Sequence, residues 1–389
     1  MRRFGDVCEL KKGKKPRLIS PQAVGAKPYL VAKYLRGGEP EEFALASDNS
    51  SVSVKSRDII IICDGSNSGE TFIGFEGVLS STMAVVDHGQ ELDNRFLRYF
   101  LSTLFEKFNA SKTGAAIPHL DLAALRDEQL PMPPLPEQER IVAILDEAFD
   151  DIDTAKANAE RNLANARAVF GSSLESVFNH GGQGWAESRL SDLCEVKHGF
   201  AFDGAEFSKE VLDGKPIVIT PGNFSEYGEL VFNDRNTKRF SGKPPDGFLF
   251  NVGDLVVVMT DLSSKMKILG KPAFVETENV LHNQRIGRVV FLNDALDSRL
   301  LYYFMMSKRY LKSIRMSATG TMVKHTAPKR ILSNEVSFPI DGAEQRAIVE
   351  RLDSLRDKTR RLEPIYQRKL DAMDALKQSL LHHAFSGQL

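Results

Sequence analysis

Hydrophobic residues follow two different rhythms along this chain, and both rhythms occur twice. Short uninterrupted apolar runs, DIIIIC at residues 58–63 and DLVVVMT at residues 254–260, lie between clusters of Gly, Asn, Asp and Pro. Such runs predict short, buried β-strands. Further along each half, NRFLRYFL (94–101) and SRLLYYFM (298–305) repeat apolar positions every three or four residues, which predicts one amphipathic helix. Each half is therefore expected to begin with a domain of mixed α/β structure.

Two longer segments carry a narrow apolar seam after the Pro-rich sequences LPMPPLPEQ and SFPIDGAEQ. The first seam steps by three or four residues through Ile141, Leu145, Ala148, Ile152, Ala155, Ala159, Leu163, Ala166, Phe170, Leu174 and Val177. The second, interrupted by Thr359 and Lys377, runs through Ile348, Leu352, Leu355, Leu362, Tyr366, Leu370, Met373, Leu380 and Ala384. This pattern predicts two helices of about 42 residues, each about 60 Å long, that form a coiled coil. Pro364 is expected to kink the second helix. The alternative is that each helix packs on its own globular domain.

The chain repeats itself over long blocks. RFGDVCELKKG (3–13) matches RLSDLCEVKHG (189–199), and LDNRFLRYFL (92–101) matches LDSRLLYYFM (296–305). SKTGAAIPH (111–119) matches SATGTMVKH (317–325), and the helix starts PLPEQERIVAILDE (134–147) and GAEQRAIVERLDS (342–354) share Glu-Gln, Ile-Val and Leu-Asp in the same order. Matches in one order and at this long period indicate a duplicated domain, with halves at about 1–185 and 186–389.

Charge and cysteine content narrow the class of protein. The 389 residues carry a net charge of −1, yet residues 1–36 hold ten Lys or Arg against two acids, and residues 131–180 hold four bases against nine acids. A basic patch favours a polyanionic partner, although a charge run is also typical of a solvated face. Three scattered cysteines (Cys8, Cys63, Cys194) and the absence of a long apolar run predict a cytoplasmic protein without disulfides.

Two similar domains, joined by two antiparallel helices about an approximate two-fold axis, suit a target with two half-sites at a fixed distance. Double-stranded DNA is such a target. In its order of parts, in the Pro-rich run into Glu-Gln and Ile-Val, and in the closing AFSGQL, the chain resembles the specificity (S) subunit of Type I restriction-modification systems. The resemblance implies an α+β fold of two mixed α/β target recognition domains joined by two long antiparallel coiled-coil spacer helices, pseudo-two-fold. The predicted boundaries are 1–135 and 181–341 for the domains, and 136–180 and 342–389 for the central and C-terminal spacer helices.

The resemblance also implies partners and a division of labour. Two methyltransferase (M) subunits that modify adenine would grip the helices, and nuclease/translocase (R) subunits would complete the enzyme. S-adenosylmethionine, ATP and Mg²⁺ would serve those partner subunits and would not be bound by this chain.

Two motifs bear a partial likeness to catalytic sites. GSNSGET (65–71) lacks the spacing and the Lys of a phosphate-binding loop and is better explained as a turn. CELK (8–11) and CEVK (194–197) contain the acid-x-Lys pattern of metal nucleases, but a two-metal site needs a further well-placed acid. Cys8 and Cys194 are equivalent in the repeat and are expected in the core. No catalytic residue and no metal ligand is predicted.

Affinity for DNA should come from Lys and Arg on phosphates, and specificity from polar side chains at base edges. The predicted DNA-binding residues of the first half are Lys11, Lys12, Lys14, Lys15, Arg17, Lys33, Arg36, Lys112, Thr113 and His119. Those of the second half are Lys197, His198, Asn223, Lys265, Lys267, Asn283, Gln284, Arg285, Thr319, Lys324 and His325. For each of them an ordinary structural or surface role is the competing interpretation.

Two other classes of function remain open at this point. A stand-alone bipartite DNA-binding protein without enzymatic partners would need no docking surface for a methyltransferase. A scaffold without a DNA role would show no DNA affinity, and the basic residues 1–36 argue against it.

Overall fold

A computed structural model describes residues 1–47, 51–110, 118–179, 181–208 and 214–389. Two compact units are present, Met1–Glu160 with Gln367–Leu389, and Arg161–Tyr366. Each unit consists of one globular domain and a part of each long helix. Within the described residues, no helix is both long and apolar enough to span a membrane.

In its described residues, the globular part of the first unit contains eleven short strands and five short helices before the first long helix begins. In chain order the elements are β1 (Arg2–Arg3), α1 (Phe4–Val7), β2 (Cys8–Lys12), β3 (Leu18–Ile19), β4 (Ala26–Leu30), α2 (Ala32–Leu35), β5 (Phe43–Leu45), β6 (Ser53–Val54), β7 (Ile59–Ile62), β8 (Thr71–Phe72), β9 (Gly77–Leu79), β10 (Met83–His88), α3 (Asn94–Thr103), α4 (Phe105–Ala110), α5 (Leu122–Asp127), β11 (Gln129–Leu130) and α6 (Leu135–Asn179).

Where it is described, the second unit repeats this plan with twelve strands and four short α-helices. They are β12 (Trp185–Arg189), α7 (Leu190–Leu193), β13 (Cys194–His198), β14 (Phe207–Ser208), β15 (Ile217–Val218), β16 (Arg239–Phe240), β17 (Leu255–Val258), β18 (Thr260–Asp261), β19 (Pro272–Phe274), β20 (Val280–Leu281), β21 (Ile286–Phe291), α8 (Ser298–Met306), α9 (Lys308–Met316), β22 (Lys324–His325), α10 (Pro328–Leu332), β23 (Glu335–Pro339) and the second long helix α11 (Gly342–Phe385).

The central sheets of the two units have the same strand order. The first is β2-β10-β7-β8 and the second is β13-β21-β17-β19, with neighbouring strands antiparallel throughout. In both units the first and last short strands of the globular domain also pair, β1 with β11 and β12 with β23. The duplicated blocks of the sequence therefore fold into duplicated structure. A further sheet differs between the units, β3-β5-β4-β9-β6 in the first and β14-β16-β15-β20 in the second.

The apolar runs are uninterrupted because both faces of each central sheet are covered. Side chains alternate across a strand, so Ile59 and Ile61 join the cluster with helix α3, whereas Ile60 and Ile62 join a cluster with Leu30 and Leu79 on the other face. Strand β17 shows the same division, with Leu255 and Val257 in one cluster and Val256 and Val258 in another. The amphipathic helices α3 and α8 begin at Asp93 and Asp297, whose carboxylates accept the first free backbone N–H groups.

The long helices serve both as a pair and as parts of the domain cores. In the first unit the early α6 residues Ile141, Val142 and Leu145 pack in the domain core together with Leu381 and Ala384 from the end of α11. In the second unit the end of α6 (Leu174, Val177, Phe178) and the start of α11 (Val349, Leu352) enter the core in the same way. Each domain core therefore contains the beginning of one long helix and the end of the other. The long helices both pair with each other, as the seam pattern predicted, and pack on the globular domains, as the alternative interpretation proposed.

Ion pairs show the direction of the helix pairing inside each unit. Lys156 lies 2.5 Å from Asp374 and Lys377 lies 2.5 Å from Asp153, so residue numbers rise in one helix as they fall in the other. In the second unit Arg167 lies 2.7 Å from Glu363, while the end of α6 meets the start of α11 in the core. The pairing is antiparallel in both units. All residues of the two predicted apolar seams are at least partly buried except Leu362. Helix α11 continues through Pro364 without a break in its helical assignment.

Two equivalent glycines close the first strand of each central sheet. A Cβ on Gly13 would lie 2.1 Å from the Ser80 carbonyl oxygen, and one on Gly199 would lie 2.3 Å from that of Asn283. Real Cβ atoms do not approach backbone so closely, and the neighbouring loop would have to move. The close approach explains why the matched blocks at 3–13 and 189–199 both end in glycine.

We predict that Gly199→Ala destabilises the protein by about 1–3 kcal/mol, the usual cost of overpacking, because the added methyl collides with backbone atoms. Urea denaturation followed by circular dichroism measures this cost. Gly204→Ala is the matched control, since a Cβ there meets no atom within 4 Å. Equal denaturation midpoints for the two variants would contradict the close-packing argument.

Candidate nucleic-acid interface

The predicted contact residues of the first unit gather at one end of its central sheet. Strand β2 ends at Lys12, which lies opposite Ala84 of its neighbour β10, and the adjacent β10 residue Met83 lies opposite Ile62 at the end of β7. Lys14, Lys15 and Arg17 follow on exposed backbone, while Pro16 between them is buried. The antiparallel register therefore brings the basic residues of β2 and its loop next to the loop after β7.

Asp64 organises this end of the sheet. Its carboxylate lies 3.0 Å from Lys12 Nζ and 2.8 Å from His119 Nδ1. Partial burial raises the pKa of Asp64, but the hydrogen bonds with His119 and Lys12 outweigh that effect and hold the pKa below its usual value. His119 and Lys12 are thus engaged with a carboxylate that stays charged, and His119 fastens the loop in front of α5 to the sheet.

Several of the predicted cations are already neutralised by acidic neighbours. Lys11 pairs with Asp87, Lys33 with Glu41, and Arg36 with Glu70. The side chains of Lys14, Lys15 and Arg17 are exposed and make no hydrogen bond or ion pair within the described part of the chain. These three are the cations of the loop after β2, residues 13–17, and none of them is neutralised by an acidic neighbour among the described residues. Lys112 and Thr113 lie outside the described residues.

The second unit assembles its predicted residues at the equivalent sheet end. His198 at the end of β13 lies opposite Gly287, and Val258 at the end of β17 lies opposite Ile286, so both ends meet the turn before β21. Lys197, His198, Gln284 and Arg285 are exposed there. A hairpin closed by hydrogen bonds between Thr319 and His325 joins the same end, because Thr260 pairs with His325 and Asp261 with Lys324.

Polar contacts within the second unit hold several of these side chains. His325 Nδ1 lies 3.2 Å from Thr260 Oγ1, and Lys324 Nζ donates to the Gly320 carbonyl oxygen at 2.8 Å. Lys267 Nζ lies 2.6 Å from Glu226, whereas the exposed ammonium group of Lys265 forms no hydrogen bond or ion pair with the described residues. The hairpin is thus fixed at its base and presents its tip to solvent.

Two predicted base-reading residues have structural positions instead. Asn223 is fully buried. Its oxygen accepts from the Thr220 backbone N–H at 2.8 Å and its amide donates to the Asn236 carbonyl oxygen at 3.2 Å. No atom of Asn223 is at the surface, so its expected contact with a base edge does not match its position. Asn283 is 7% exposed, and its oxygen accepts from the Arg285 N–H, which shapes the turn that exposes Gln284 and Arg285.

The cysteines lie in the core. Burial raises the pKa of Cys8 and of Cys194 to about 12, so both stay protonated thiols. Residues 65–69 form a turn between β7 and β8. Among the described residues no group of three or more His, Cys, Asp or Glu side chains is arranged to hold a metal ion.

Comparison with known families now decides the class of protein. Residues 1–161 and again residues 182–367 match the family described as Type I restriction modification DNA specificity domain. The chain belongs to this family. It carries two DNA specificity domains of the Type I kind, one in each half, and so provides DNA sequence specificity in a Type I restriction-modification system.

Named relatives and solved structures match between 90% and 100% of the chain. The specificity subunit of the Type I restriction enzyme MjaVIII from Methanocaldococcus jannaschii is 28% identical over 405 residues, covering 100% of this chain and 92% of that protein. The EcoKI specificity subunit from Escherichia coli is 24% identical and covers 90% and 75%. A chain from a structure on complex assembly and conformational transition of the type I R-M system superposes with a TM-score of 0.76, at 17% identity and 100% and 97% coverage. The HsdS subunit from Thermoanaerobacter tengcongensis gives 0.57, at 17% identity and 100% and 96% coverage.

The Glu-Gln repeat of this specificity-domain protein has a structural role that sequence inspection missed. Gln138 and Gln345 are the glutamines of the two repeats, and both are buried. The Gln138 oxygen accepts from the Asp93 N–H at 2.8 Å, while its amide donates to the carbonyl oxygens of Glu91 (2.9 Å) and Pro133 (2.8 Å). Gln345 makes the equivalent bonds with Asp297 (2.7 Å), Ala295 (2.8 Å) and Pro339 (2.8 Å).

The Leu-Asp pair of the repeat completes the attachment. Asp146 accepts a hydrogen bond from the Tyr99 hydroxyl at 2.5 Å and pairs with Arg95. In the second unit Asp353 accepts from Tyr303 at 2.5 Å and lies 2.9 Å from Arg299. Burial, and then the hydrogen bond to the carboxylate, raises the pKa of both tyrosines, so each phenol remains a donor. The matched motifs fasten each long helix to the amphipathic helix of its own domain. The sequence carried a signal for this attachment. In both halves, the Glu-Gln motif occurs together with an earlier Leu-Asp pair, the one that opens the matched block LDNRFLRYFL or LDSRLLYYFM.

We predict that Gln345→Ala lowers the free energy of unfolding, because it leaves one N–H and two carbonyl groups of the backbone, at buried or partly buried positions, without their partners. Each such group costs about 1–3 kcal/mol. Urea denaturation measures the loss, and Gln138→Ala should behave alike. Gln378→Ala, at an exposed position of the same helix α11, is the control and should change stability by less than about 0.5 kcal/mol. A Gln345→Ala variant as stable as that control would show that the amide does not anchor the helix.

Proposed function

We propose that this chain is the non-catalytic sequence-reading subunit of a Type I restriction-modification complex, which reads a split DNA target with one domain for each half-site. The observation that supports this most is the double match to the DNA specificity domain, together with the same basic sheet end in each unit. The two units share the sheet framework but differ in their second sheet and in their loops. The two half-sites are therefore expected to differ in sequence.

The partners follow from this role. Two methyltransferase subunits bind the long helices, nuclease/translocase subunits join them in the complete enzyme, and the modified base is an adenine rotated out of the duplex into the partner's pocket. S-adenosylmethionine, ATP and Mg²⁺ belong to those subunits. This chain contributes recognition: its cations hold phosphates, and its exposed loop side chains reach base edges.

A map of methylated adenines tests the proposal directly. Cells that carry the methyltransferase partner are compared with and without this chain. We expect methylation at a motif of two short half-sites with a fixed gap, only when the chain is present. Unchanged or absent methylation in both strains would favour a stand-alone bipartite DNA-binding protein.

The helix segments between the anchored ends are proposed to set the gap between half-sites. Inserting about one helical turn in both helices, between Lys156 and Arg167 and between Glu363 and Asp374, leaves the ion pairs within each unit intact. Four residues add ~6 Å at ~1.5 Å each, which corresponds to about two base pairs of B-DNA at ~3.4 Å each.

We expect the double insertion to lengthen the gap by one or two base pairs while both half-site sequences stay the same, as read from the methylation map. An insertion in only one helix is the control and should abolish methylation, because it shifts one helix against the other. Altered half-site sequences with an unchanged gap would refute the role of the helices as a spacer.

A further inference from the structure

The second unit contains a long segment with positive charge and no carboxylate. Residues 298–334 include eight Lys or Arg and no Asp or Glu. The matching segment of the first half, residues 94–127, contains Glu106, Asp121 and Asp127. The excess of positive charge is therefore a property of the second unit's segment and not of the duplicated framework.

Half of these eight cations are engaged inside the unit. Arg299 pairs with Asp353, Arg315 Nε donates to the Met266 carbonyl oxygen, Lys324 donates to Gly320, and Arg330 donates to the Thr319 hydroxyl. The other four are Lys308, Arg309, Lys312 and Lys329, whose side chains are exposed and have no hydrogen bond or ion pair among the described residues. The Glu175 carboxylate lies next to them and accepts from the Lys308 backbone N–H at 2.6 Å.

Helix α9 presents three of the four on its outer face. Tyr310, Leu311 and Ile314 are buried and hold the helix on the domain core. Lys308 and Lys312 are one turn apart, about 6 Å along the axis. Such a spacing lets flexible side chains reach separate phosphates of one strand. Because no carboxylate of the segment neutralises them, their field extends into solvent and attracts a polyanion.

This basic surface borders the sheet end where the predicted base-reading loops meet. Helix α9 runs into the hairpin that pairs with Thr260 and Asp261, and α10 touches that hairpin through the bond between Arg330 and Thr319. Arg315 at the end of α9 contacts the turn that holds Lys265 and Lys267. A duplex read by these loops would have its backbone within reach of α9 and α10.

We propose that Lys308, Arg309, Lys312 and Lys329 bind the DNA phosphate backbone and give the second domain affinity that does not depend on base sequence. This rests on the proposed function and adds an anchoring surface to it. In the first domain, the cations without an acidic partner among the described residues include Lys14, Lys15 and Arg17, which lie in a different segment. The two domains thus hold DNA through different segments of an equivalent framework.

The test replaces all four residues by Gln in the full-length chain bound to its methyltransferase partner. Gln keeps the helix propensity of Lys and Arg, so folding should be unaffected. Equilibrium binding is measured over a range of salt concentrations for a duplex with the recognition motif and for a duplex of unrelated sequence. We expect affinity for both duplexes to fall by the same factor. The slope of log K against log salt should become shallower by about 0.9 for each phosphate that the variant no longer neutralises, with the methylated motif unchanged.

A variant of equal charge change provides the control. Lys55, Arg57, Arg235 and Lys243 are exposed and lie outside both long helices, and their replacement by Gln should leave the salt slope close to that of the unaltered complex. The inference is overturned if the two variants lose affinity equally, if the α9 variant keeps its affinity and slope, or if it loses affinity only for the motif. The inference is also overturned if the variant no longer binds the methyltransferase while the variant chain alone binds DNA normally. The four residues would then belong to a protein interface. Failure of the unaltered complex to bind either duplex would refute the proposed function itself.

Discussion

The buried amides of Gln138 and Gln345 hold the architecture together. Each side chain satisfies three backbone groups at the point where a Pro-rich segment turns into a long helix and where the amphipathic helix of the domain begins. A buried amide without these partners would be costly, and few other geometries satisfy all three at once. The bonds therefore fix where each long helix starts relative to its domain. The tyrosine–aspartate bonds about two turns later fix its direction.

Everything else in the helix pair depends on that attachment. Each domain core contains the start of one long helix and the end of the other, so neither helix can slide without opening a core. In both units, ion pairs between the acidic α6 and the more basic α11 favour the antiparallel pairing of the helices. Exposed ion pairs of this kind contribute little to the free energy of folding. The register is thus set mainly by burial and by the anchors. A firmly set register is what a protein needs if its helices are to hold two DNA-reading domains at one distance.

Duplication also explains how the domains combine a shared framework with separate recognition. The central sheets, the helix caps and the glycines that close the first strands are equivalent, whereas the second sheets and the loops differ. Positive charge is also distributed differently: in the first unit it follows β2, and in the second it lies on α9 and α10. Framework positions are constrained by packing, while surface cations and loop side chains are free to change.

The sequence by itself determined the duplication, the burial of the short apolar strands, the two long helices and their seams, and the Type I specificity family. The structural features among these follow from periodicity and repeated order, which are local or pairwise properties of the chain, and the family follows from the resemblance of its order of parts and motifs. Only the tertiary structure decided that Asn223 is an internal hydrogen-bonding residue, that Lys11, Lys33 and Arg36 already have acidic partners, and that Gln138 and Gln345 are anchors. The free cations of α9 also emerged only there. The physical reason is that a polar residue's role depends on which groups the fold brings within hydrogen-bonding distance, and those groups lie tens of residues away in the sequence.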